Sequence, residues 1–501
     1  MAERTIAAVD LGAESGRIIL ARYDGRSLGL EEIHRFPNRP VMLHGHRFWN
    51  VLALWDEILI GLRKARRVAG TLDSIGVDTW GIDYGLVDAN GLLLGQPFQY
   101  RDHRTDGVME QVFSQVPRDV LYHRTGIQLL PFNTIFQLYA HERLRPGELA
   151  HAHRLLLIPD LLHNWLCGSN SSERTNVTTT QCWNPLAGEW ATDILEQLGI
   201  PTAMLPSVVE AGTPIGEVLP AWRDDLGLAK VVVPATHDTG SAIVAIPAQP
   251  ANGWGYISSG TWSLVGVELK QPITTKESLT ANFTNEGGVF GTTRYLKNVM
   301  GMWLLQECLR CWNRGGHRLD YETLLANVDA VPAFAALFDP DAPRFLAPHD
   351  MPDEINAYLR EHGQEPLAAP EAFARAIMES LVLRYCEVFQ QIGPLTGTPI
   401  TQVHVVGGGV RNLRLNQWLA DALEIPVIAG PLEATASGNA LMQLVGLGEL
   451  STLEEVRAIA GRIPTQIYTP RRGERAAWNE AKQRFSALSM SQGQIGEDND
   501  G

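Results

Sequence analysis

The chain has 501 residues, of which 45% are hydrophobic and 19% are charged, and its formal net charge is −15. This length predicts at least two domains, because a single hydrophobic core stops growing at about 250 to 300 residues. The acidic balance argues against a nucleic-acid partner, since binding to phosphate backbones depends on Lys and Arg. No apolar run approaches the roughly 18 residues that a membrane-spanning helix needs.

The cysteines and the first residues indicate the compartment. Five thinly spread cysteines do not form the pattern of a disulfide framework. Residues 1–6 lead into a strand-like segment and lack the apolar core of a signal peptide. We therefore expect a cytoplasmic protein with no membrane partner, and the sequence leaves its oligomeric state open.

The first part of the chain has the pattern of an α/β domain. Its predicted elements are a strand at 6–9, a turn at 10–17, a strand at 18–20, a helix at 51–69, a strand at 74–78 and a second hairpin through Gly81 to Val87. Residues 100–230 mix loops with helical patterns at 135–145 and 160–167. Hairpins that feed helices and return to further strands predict a mixed sheet.

The opening pattern recurs after residues 246–253, which are rich in Pro and Gly and suit an inter-domain crossing. Residues 255–266 again indicate strand, small-residue turn and strand. The strand 403–406 leads into the three glycines 407–409, and a helix is predicted at 413–423. Two halves that open alike predict a duplicated core with a cleft between the halves.

Three glycine-bearing turns could hold phosphates. Glycine lets backbone N–H groups approach a phosphate, and a carboxylate at a strand end, here Asp10, can hold magnesium. The turn at 259–263 is the counterpart of the turn at 10–17, although each could equally be an ordinary hairpin turn. The absence of a Walker or G-x-G-x-x-G sequence argues against P-loop and Rossmann folds.

The segment 234–242 places an imidazole and a carboxylate, His237 and Asp238, at the end of the apolar strand 231–233. Transfer of a phosphoryl group to an alcohol needs a base that accepts the hydroxyl proton, and Asp238 suits that role. A helix N-cap is an equally good interpretation of an aspartate at this position.

Taken together, these motifs resemble those of the FGGY carbohydrate kinases, a branch of the actin-like ATPase superfamily. The resemblance runs from Ala7 to about Met442 and is closest to the branch that phosphorylates L-rhamnulose. It lies in the stretches 9–17, 74–83, 100–105, 130–134, 236–239, 258–263, 282–288 and 296–301. The Phe-Gly-Gly-Tyr tetrapeptide behind the family name is absent.

The resemblance implies two ribonuclease-H-like domains, at 1–246 and 254–487, with 488–501 as a disordered tail. The implied reaction transfers the γ-phosphoryl group of ATP, with Mg²⁺, to the C1 hydroxyl of L-rhamnulose. Asp238 would be the proton acceptor and Asp10 would lie on the magnesium side. The implied nucleotide contacts are Ala13, Glu14, Ser15, Gly16, Arg17, Thr261, Gln306 and Gly408, and the implied sugar contacts are Gly81, His237, Asp238, Thr239 and Asn298.

Other functions stay open at this point. A kinase of the same fold could act on another ketose, such as L-fuculose or xylulose. An actin-like ATPase that switches conformation would need the nucleotide turns but no acid facing a sugar, and a sugar sensor would need no base. The His237–Asp238 pair favours the kinase.

Overall fold

Both strands and helices occur throughout the chain, which confirms the predicted α/β class. The computed structural model describes residues 3–248, 253–316 and 318–497. The strands are β1 Arg4–Leu11, β2 Ser15–Tyr23, β3 Leu28–Pro37, β4 Val41–Leu43, β5 His46–Phe48, β6 Ser74–Thr79, β7 Tyr84–Val87, β8 Arg154–Leu157, β9 Ser171–Glu173, β10 Trp183–Asn184, β11 Glu189–Trp190, β12 Ser207–Val209, β13 Pro214–Glu217, β14 Lys230–Val232, β15 Trp254–Ser259, β16 Trp262–Leu269, β17 Thr284–Gly287, β18 Thr293–Met300, β19 Gln402–Val406, β20 Val427–Ala429 and β21 Gln466–Tyr468.

The helices lie between these strands, and the longer ones follow the periodic apolar segments of the sequence. They are α1 Val51–Ala69, α2 Val108–Phe113, α3 Arg118–Thr125, α4 Thr134–Leu144, α5 Glu148–His151, α6 Ile158–Cys167, α7 Arg174–Val177, α8 Thr192–Gln197, α9 Arg223–Leu226, α10 Asp238–Val244, α11 Lys276–Thr280, α12 Trp303–Arg314, α13 Tyr321–Ala326, α14 Met351–Glu361, α15 Pro370–Thr396, α16 Leu413–Leu423, α17 Ala434–Gly446, α18 Leu453–Ala460 and α19 Arg475–Glu497.

The chain forms two compact units, each assembled from three segments. The first unit is Met1–Gln249, Val267–Leu296 and Glu433–Pro464, and the second is Pro250–Gly266, Lys297–Leu432 and Thr465–Gly501. These units differ from the predicted linear domains 1–246 and 254–487, because the segments 267–296 and 433–464 belong to the first unit. The second of these segments contains α17, which packs on the first sheet.

The first unit is built on a six-stranded sheet of order β13-β14-β6-β1-β2-β3. β1 pairs antiparallel with β2 and parallel with β6, and β6 pairs parallel with β14. From Thr5 to Leu11 every residue of β1 is buried. Such a strand is apolar at nearly every position because helices cover both faces of the sheet, and here α1 and α17 pack on it.

Helix α1 follows its predicted bounds because both its apolar spacing and its caps specify them. Val51, Leu54, Ile58 and Leu62 recur at helical spacing and are buried, while the opposite face is solvated. The Asn50 side chain accepts a hydrogen bond from the backbone of the first turn. After Ala69 the helix ends at a glycine in a positive-φ conformation, which residues with a Cβ rarely adopt.

The hairpin predicted through Gly81 to Val87 is wrong. β7 (Tyr84–Val87) pairs antiparallel with β8 (Arg154–Leu157) in a separate two-stranded sheet. It cannot pair with β6 because both edges of β6 are occupied, by β1 on one side and by β14 on the other. The chain therefore turns away from the main sheet at Trp80 and Gly81.

The second unit repeats the start of the first. β15 pairs antiparallel with β16 and parallel with β19, and β19 pairs parallel with β20. This is the same sequence of pairings as β1 with β2, β6 and β14. β20 adds β21 in antiparallel orientation at the edge. The repetition agrees with the duplicated core that the two opening patterns predict.

The remaining sequence predictions concern the linker and the C-terminal end. Of the predicted crossing 246–253, residues 249–252 lie outside the described residues. Residues 488–497 belong to helix α19, whereas the sequence predicted a disordered tail at 488–501. Residues 498–501 lie outside the described residues. Within the described part of the chain, no helix combines the length and apolar character needed to cross a bilayer.

A glycine on α17 sets how closely this helix approaches α10. A Cβ on Gly438 would lie 1.8 Å from the backbone oxygen of Ser241. We expect Gly438→Ala to lower the free energy of unfolding by about 2 kcal/mol, because overpacking outweighs the better helix propensity of alanine. Urea unfolding measures this. Gly473→Ala is the control, since a Cβ added there would meet no described heavy atom within 4 Å beyond Gly473 and its two chain neighbours. Equal stability of both variants would contradict the prediction.

Candidate active site

Two buried carboxylates lie side by side at the carboxyl ends of β1 and β6. Asp10 and Asp78 are register partners in this parallel pair, so their side chains lie on the same face of the sheet. Burial raises the pKa of both groups, and the charge of Asp10 raises that of Asp78 further. Sequence reasoning assigned Asp10 to the magnesium side but gave Asp78 no role, although Asp78 lies in the stretch 74–83 that carried the family resemblance.

The two oxygens of Asp78 differ in their surroundings. Oδ2 accepts a hydrogen bond of 2.6 Å from Asn439 on α17. Oδ1 is buried and has no hydrogen-bond partner among the residues that the structure describes. An ionised oxygen in that position is costly unless a cation or a donor reaches it, so the carboxylate pair is suited to a divalent cation.

Arg17 lies opposite Asp10 on β2 and forms ion pairs with Asp10 and with Glu433. Burial opposes the charge of Arg17, but the two carboxylates outweigh burial and raise its pKa. In this arrangement the guanidinium, predicted to bind ATP phosphates, is held by acidic side chains. Its predicted contact with phosphate stays a prediction.

The turn between β1 and β2 contains the other predicted phosphate contacts. The backbone of Asn38 donates to the carbonyl of Glu14 at 2.9 Å, and its side chain donates to the carbonyl of Gly12 at 3.0 Å. The Glu14 side chain is exposed, while Ala13 and Ser15 are half-buried. Asn38, which directly follows β3 and which sequence reasoning missed, therefore holds the turn in place.

Gly16 has a packing reason to be glycine. A Cβ there would lie 2.4 Å from the ring of Phe36 and 2.5 Å from Leu11. A Cβ there would require the Phe36 ring and the Leu11 side chain to move. Its predicted contact with the nucleotide could involve only the backbone.

Asp238 is the first residue of α10, and His237 precedes it as the N-cap. The loop before them is tied to the end of β6, where the backbone of Thr79 donates to the carbonyl of Thr236 at 2.9 Å. Asp238 Oδ1 accepts hydrogen bonds from the backbone and the hydroxyl of Thr239, at 2.5 and 3.3 Å. The Asp238 carboxylate therefore lies at the start of a helix and has an accessible face.

The environment of Asp238 suits a base. Its side chain is 29% exposed, so one face remains open to a ligand. Burial raises its pKa, and Asp10 adds to the rise while His237 opposes it. A raised pKa makes the ionised carboxylate a better proton acceptor.

His237 connects Asp238 to a buried ion pair that sequence reasoning missed. His237 Nε2 lies 3.5 Å from Asp238 Oδ1, and His237 Nδ1 lies 3.2 Å from Glu286 Oε2. Glu286 in turn pairs with Arg294, whose Nη1 is 3.0 Å from Oε2. Glu286 belongs to a stretch, 282–288, that the family resemblance singled out without a role for it.

Gly81 lies in the turn where the chain leaves the main sheet. A Cβ on Gly81 would approach Thr179 Oγ1 at 3.0 Å, and the backbone of Ile82 donates to the same hydroxyl at 3.3 Å. The close approach of α7 and the following turn explains the glycine. Its predicted contact with sugar stays a prediction.

The carboxylate of Asp83 organises this turn. It accepts hydrogen bonds from Trp49 Nε1 at 2.6 Å, Trp80 Nε1 at 3.1 Å, the backbone of Tyr100 at 3.2 Å and Gln137 Nε2 at 2.9 Å. Burial raises the pKa of Asp83 to about 6. All four donors are satisfied by one buried group, which no local sequence pattern indicates.

In the second unit, the turn between β15 and β16 is anchored to the start of α12. The carbonyl of Thr261 accepts from the backbones of Gly301, at 3.2 Å, and Trp303, at 3.1 Å. Helix α12 carries Gln306, whose Oε1 is buried and has no hydrogen-bond partner among the described residues. Thr261 and Gln306, both predicted nucleotide contacts, are thus linked through one helix start.

The three glycines after β19 have different reasons to be glycine. A Cβ on Gly407 would lie 2.9 Å from the carbonyl oxygen of Ser259, and one on Gly409 would lie 2.3 Å from its Oγ. At Gly408 the nearest atom is 3.8 Å away. Packing against β15 therefore explains Gly407 and Gly409, whereas Gly408 has room and was the one predicted to meet the nucleotide.

The structure thus forms two groups of predicted residues, one in each unit. The group in the first unit lies at the carboxyl ends of β1, β6 and β14 and at the adjoining hairpin. It consists of Asp10, Arg17, His237, Asp238 and Thr239. In the second unit Thr261, Gln306 and Gly408 surround the β15–β16 turn. Asn298 lies on β18, half-buried, and its predicted contact with sugar stays a prediction.

Comparison with family models identifies both halves of the chain. Residues 5–245 match the N-terminal domain, and residues 255–447 the C-terminal domain, of the FGGY family of carbohydrate kinases. A rhamnulokinase of Pectobacterium atrosepticum is 43% identical over 98% of this chain and 97% of its own length. Rhamnulokinases of Bacteroides thetaiotaomicron (41%, over 95% and 97%) and Enterococcus faecalis (42%, over 93% and 94%) are similarly close.

Solved structures share the fold at low sequence identity. A gluconate kinase from Lactobacillus acidophilus superposes with a TM-score of 0.79 at 14% identity, covering 98% of each chain. A Plasmodium falciparum glycerol kinase with ADP gives 0.73 at 14% identity, over 96% of this chain and 98% of that one. The predicted two-domain kinase fold is confirmed, and the chain belongs to the FGGY family of carbohydrate kinases.

Proposed function

We propose that this carbohydrate kinase phosphorylates L-rhamnulose at its C1 hydroxyl, giving L-rhamnulose 1-phosphate and ADP in L-rhamnose breakdown. The observation that carries the proposal is the 43% identity to a rhamnulokinase over 98% of the chain. We also infer that it works in the cytoplasm and that nucleic acid is not a partner, in keeping with the five free cysteines and the net charge of −15.

Asp238 is the proposed proton acceptor. As the sugar oxygen bonds to the γ-phosphorus of ATP, its proton passes to the Asp238 carboxylate, the bond between that phosphorus and the bridging oxygen breaks, and ADP leaves. His237 and Thr239 flank this carboxylate and are the proposed residues that orient the sugar. Phosphoryl transfer depends mainly on positioning and charge stabilisation, so fixed neighbours contribute as much as the base.

Mg²⁺ is the proposed partner of Asp10 and Asp78. The unpartnered Oδ1 of Asp78 and the raised pKa values of both groups fit a cation between them. Among the described residues no group of three or more His, Cys, Asp and Glu is placed to hold a metal. Two carboxylates fit the usual binding of Mg²⁺, which keeps waters and substrate phosphates as its other ligands and supplies charge neutralisation at the phosphates.

A screen of ketoses tests the proposal. Purified protein with ATP and Mg²⁺ is given L-rhamnulose, L-fuculose or D-xylulose, and ADP release is measured by a coupled assay. We expect kcat/KM for L-rhamnulose to exceed the others by at least about tenfold, because hydrogen bonds to hydroxyl groups discriminate between stereoisomers. Chelation of Mg²⁺ should abolish turnover. Equal or better use of another ketose would overturn the substrate, and full activity without divalent cation would overturn the role of Mg²⁺.

A further inference from the structure

A buried carboxylate contacts the loop that leads to His237 and Asp238. Glu173 is the last residue of β9 and the N-cap of α7, and it is 0% exposed. Burial raises the pKa of Glu173, while hydrogen bonds to its carboxylate oppose the rise. A buried carboxylate is costly unless hydrogen bonds satisfy its oxygens, so the fold has to supply donors to Glu173.

Four hydrogen bonds end on the two oxygens of Glu173. Oε1 accepts from the backbone of Thr175 at 2.8 Å. Oε2 accepts from the hydroxyl of Thr175 at 2.5 Å, and from the backbone and the hydroxyl of Thr236 at 2.9 and 3.0 Å. The Thr175 hydroxyl also accepts from the backbone of His237 at 3.4 Å. The carboxylate therefore joins the start of α7 to the loop 233–237.

Thr236 is fixed on both sides of its backbone, two residues before Asp238. Glu173 accepts from its N–H group, and the backbone of Thr79 donates to its carbonyl at 2.9 Å. Helix α10 starts at Asp238, directly after this loop. A displacement of about 1 Å at a reacting group can cost roughly 100-fold in rate. The position of the Asp238 carboxylate therefore depends on where Glu173 holds Thr236.

We propose that Glu173 is a positioning residue, which places the Asp238 carboxylate against the sugar hydroxyl by anchoring Thr236. Glu173 has no exposed face, so it acts through Thr236 and not by contact with the sugar. This inference rests on the proposed role of Asp238 as proton acceptor and not on which ketose is phosphorylated.

The length of the side chain gives the first test. Glu173→Asp keeps the charge but withdraws the carboxylate by about 1.5 Å, the length of one C–C bond. Glu173→Gln keeps the length, and its amide oxygen can still accept from both groups of Thr236. With the ketose that is turned over fastest, we expect kcat to fall at least about tenfold in Glu173→Asp and less than about threefold in Glu173→Gln. The opposite order would assign Glu173 an electrostatic role and overturn the proposal.

A double-mutant cycle with Asp238→Asn separates positioning from a general effect on the fold. If Glu173 acts by placing the Asp238 carboxylate, its substitution has little left to impair once that carboxylate is absent. We therefore expect Glu173→Asp to lower kcat less than about twofold in the Asp238→Asn protein. An equal loss in both proteins would overturn the proposal and leave the base in place. Near-normal kcat of Asp238→Asn alone would remove the base, and this inference with it.

Asp160→Asn is the control for a change of a buried carboxyl group beside Glu173. Asp160 is 1% exposed, and its Oδ1 accepts from the backbone of Glu173 at 3.3 Å, a bond that the asparagine oxygen can also accept. Among the residues that the structure describes, Asp160 has no hydrogen bond to Thr236. Its kcat should stay within about threefold of the parent. A loss as large as that of Glu173→Asp would overturn the proposal.

Thr236→Val takes the place of Glu173→Asp if that variant does not fold. The two side chains have similar shapes, and the change removes only the hydroxyl bond to Glu173. We expect kcat to fall at least about threefold in the parent and less than about 1.5-fold in the Asp238→Asn protein. Parent-like kcat of Thr236→Val, or the same loss in both proteins, would overturn the proposal.

Discussion

Asp238→Asn should lower kcat at least about 100-fold, because an amide cannot accept the proton that the sugar hydroxyl loses. The substitution preserves shape, and the bonds from Thr239 can still reach the amide oxygen. The fold and ATP binding should therefore survive. The measurement is steady-state kinetics with the preferred ketose, together with ATP affinity from calorimetry.

The control for this variant is Asp193→Asn. Asp193 lies in the first turn of α8, is 57% exposed and pairs with Arg124 at the surface. Surface ion pairs contribute little to stability, so kcat should stay within about twofold of the parent. Near-normal turnover of Asp238→Asn would remove this carboxylate from the mechanism. Loss of ATP binding as well would point to a structural role.

The position of the proposed base was predictable from the sequence because its pattern is local. Asp238 follows an apolar strand and precedes small residues, and this pattern alone places it at the start of a helix. The two antiparallel hairpins, β1–β2 and β15–β16, were predictable for the same reason, since their partners are adjacent in the chain. The helices at 51–69 and 413–423 have the bounds that their periodicity predicted.

Features that depend on distant partners escaped prediction. β7 was assigned to a hairpin because nothing nearby shows that β14, formed by residues 230–232, already occupies the free edge of β6. Asp78 becomes a partner of Asp10 only through the register of β1 with β6. Glu286 on β17 becomes a neighbour of His237, the N-cap of α10 and 49 positions away in the sequence, only in the folded structure. Such contacts require the topology of the sheet.

The second large effect is expected at Asp83, which is buried. Asp83→Asn should lower the free energy of unfolding by about 3 kcal/mol, because the amide NH₂ cannot accept and leaves part of the four donors unsatisfied. Tryptophan fluorescence during urea unfolding measures the change, and Trp49 and Trp80, which donate to Asp83, contribute to the signal. Asp106→Asn is the control, since Asp106 is 73% exposed and should cost less than about 0.5 kcal/mol. Equal midpoints for the two variants would show that the four hydrogen bonds contribute little.

The pH dependence of this difference follows from the pKa of Asp83, which burial raises from 3.8 to about 6. A raised pKa means that the folded state holds the proton more tightly than the unfolded state. The carboxyl therefore stabilises the fold below its ordinary pKa, and this contribution is lost as the pH rises through 6. The asparagine variant lacks the contribution, while every other titrating group is common to both proteins and cancels. The advantage of the parent over Asp83→Asn should thus be about 1 kcal/mol larger at pH 5 than at pH 7.5, and a difference that does not change with pH would mean that Asp83 titrates near its ordinary value.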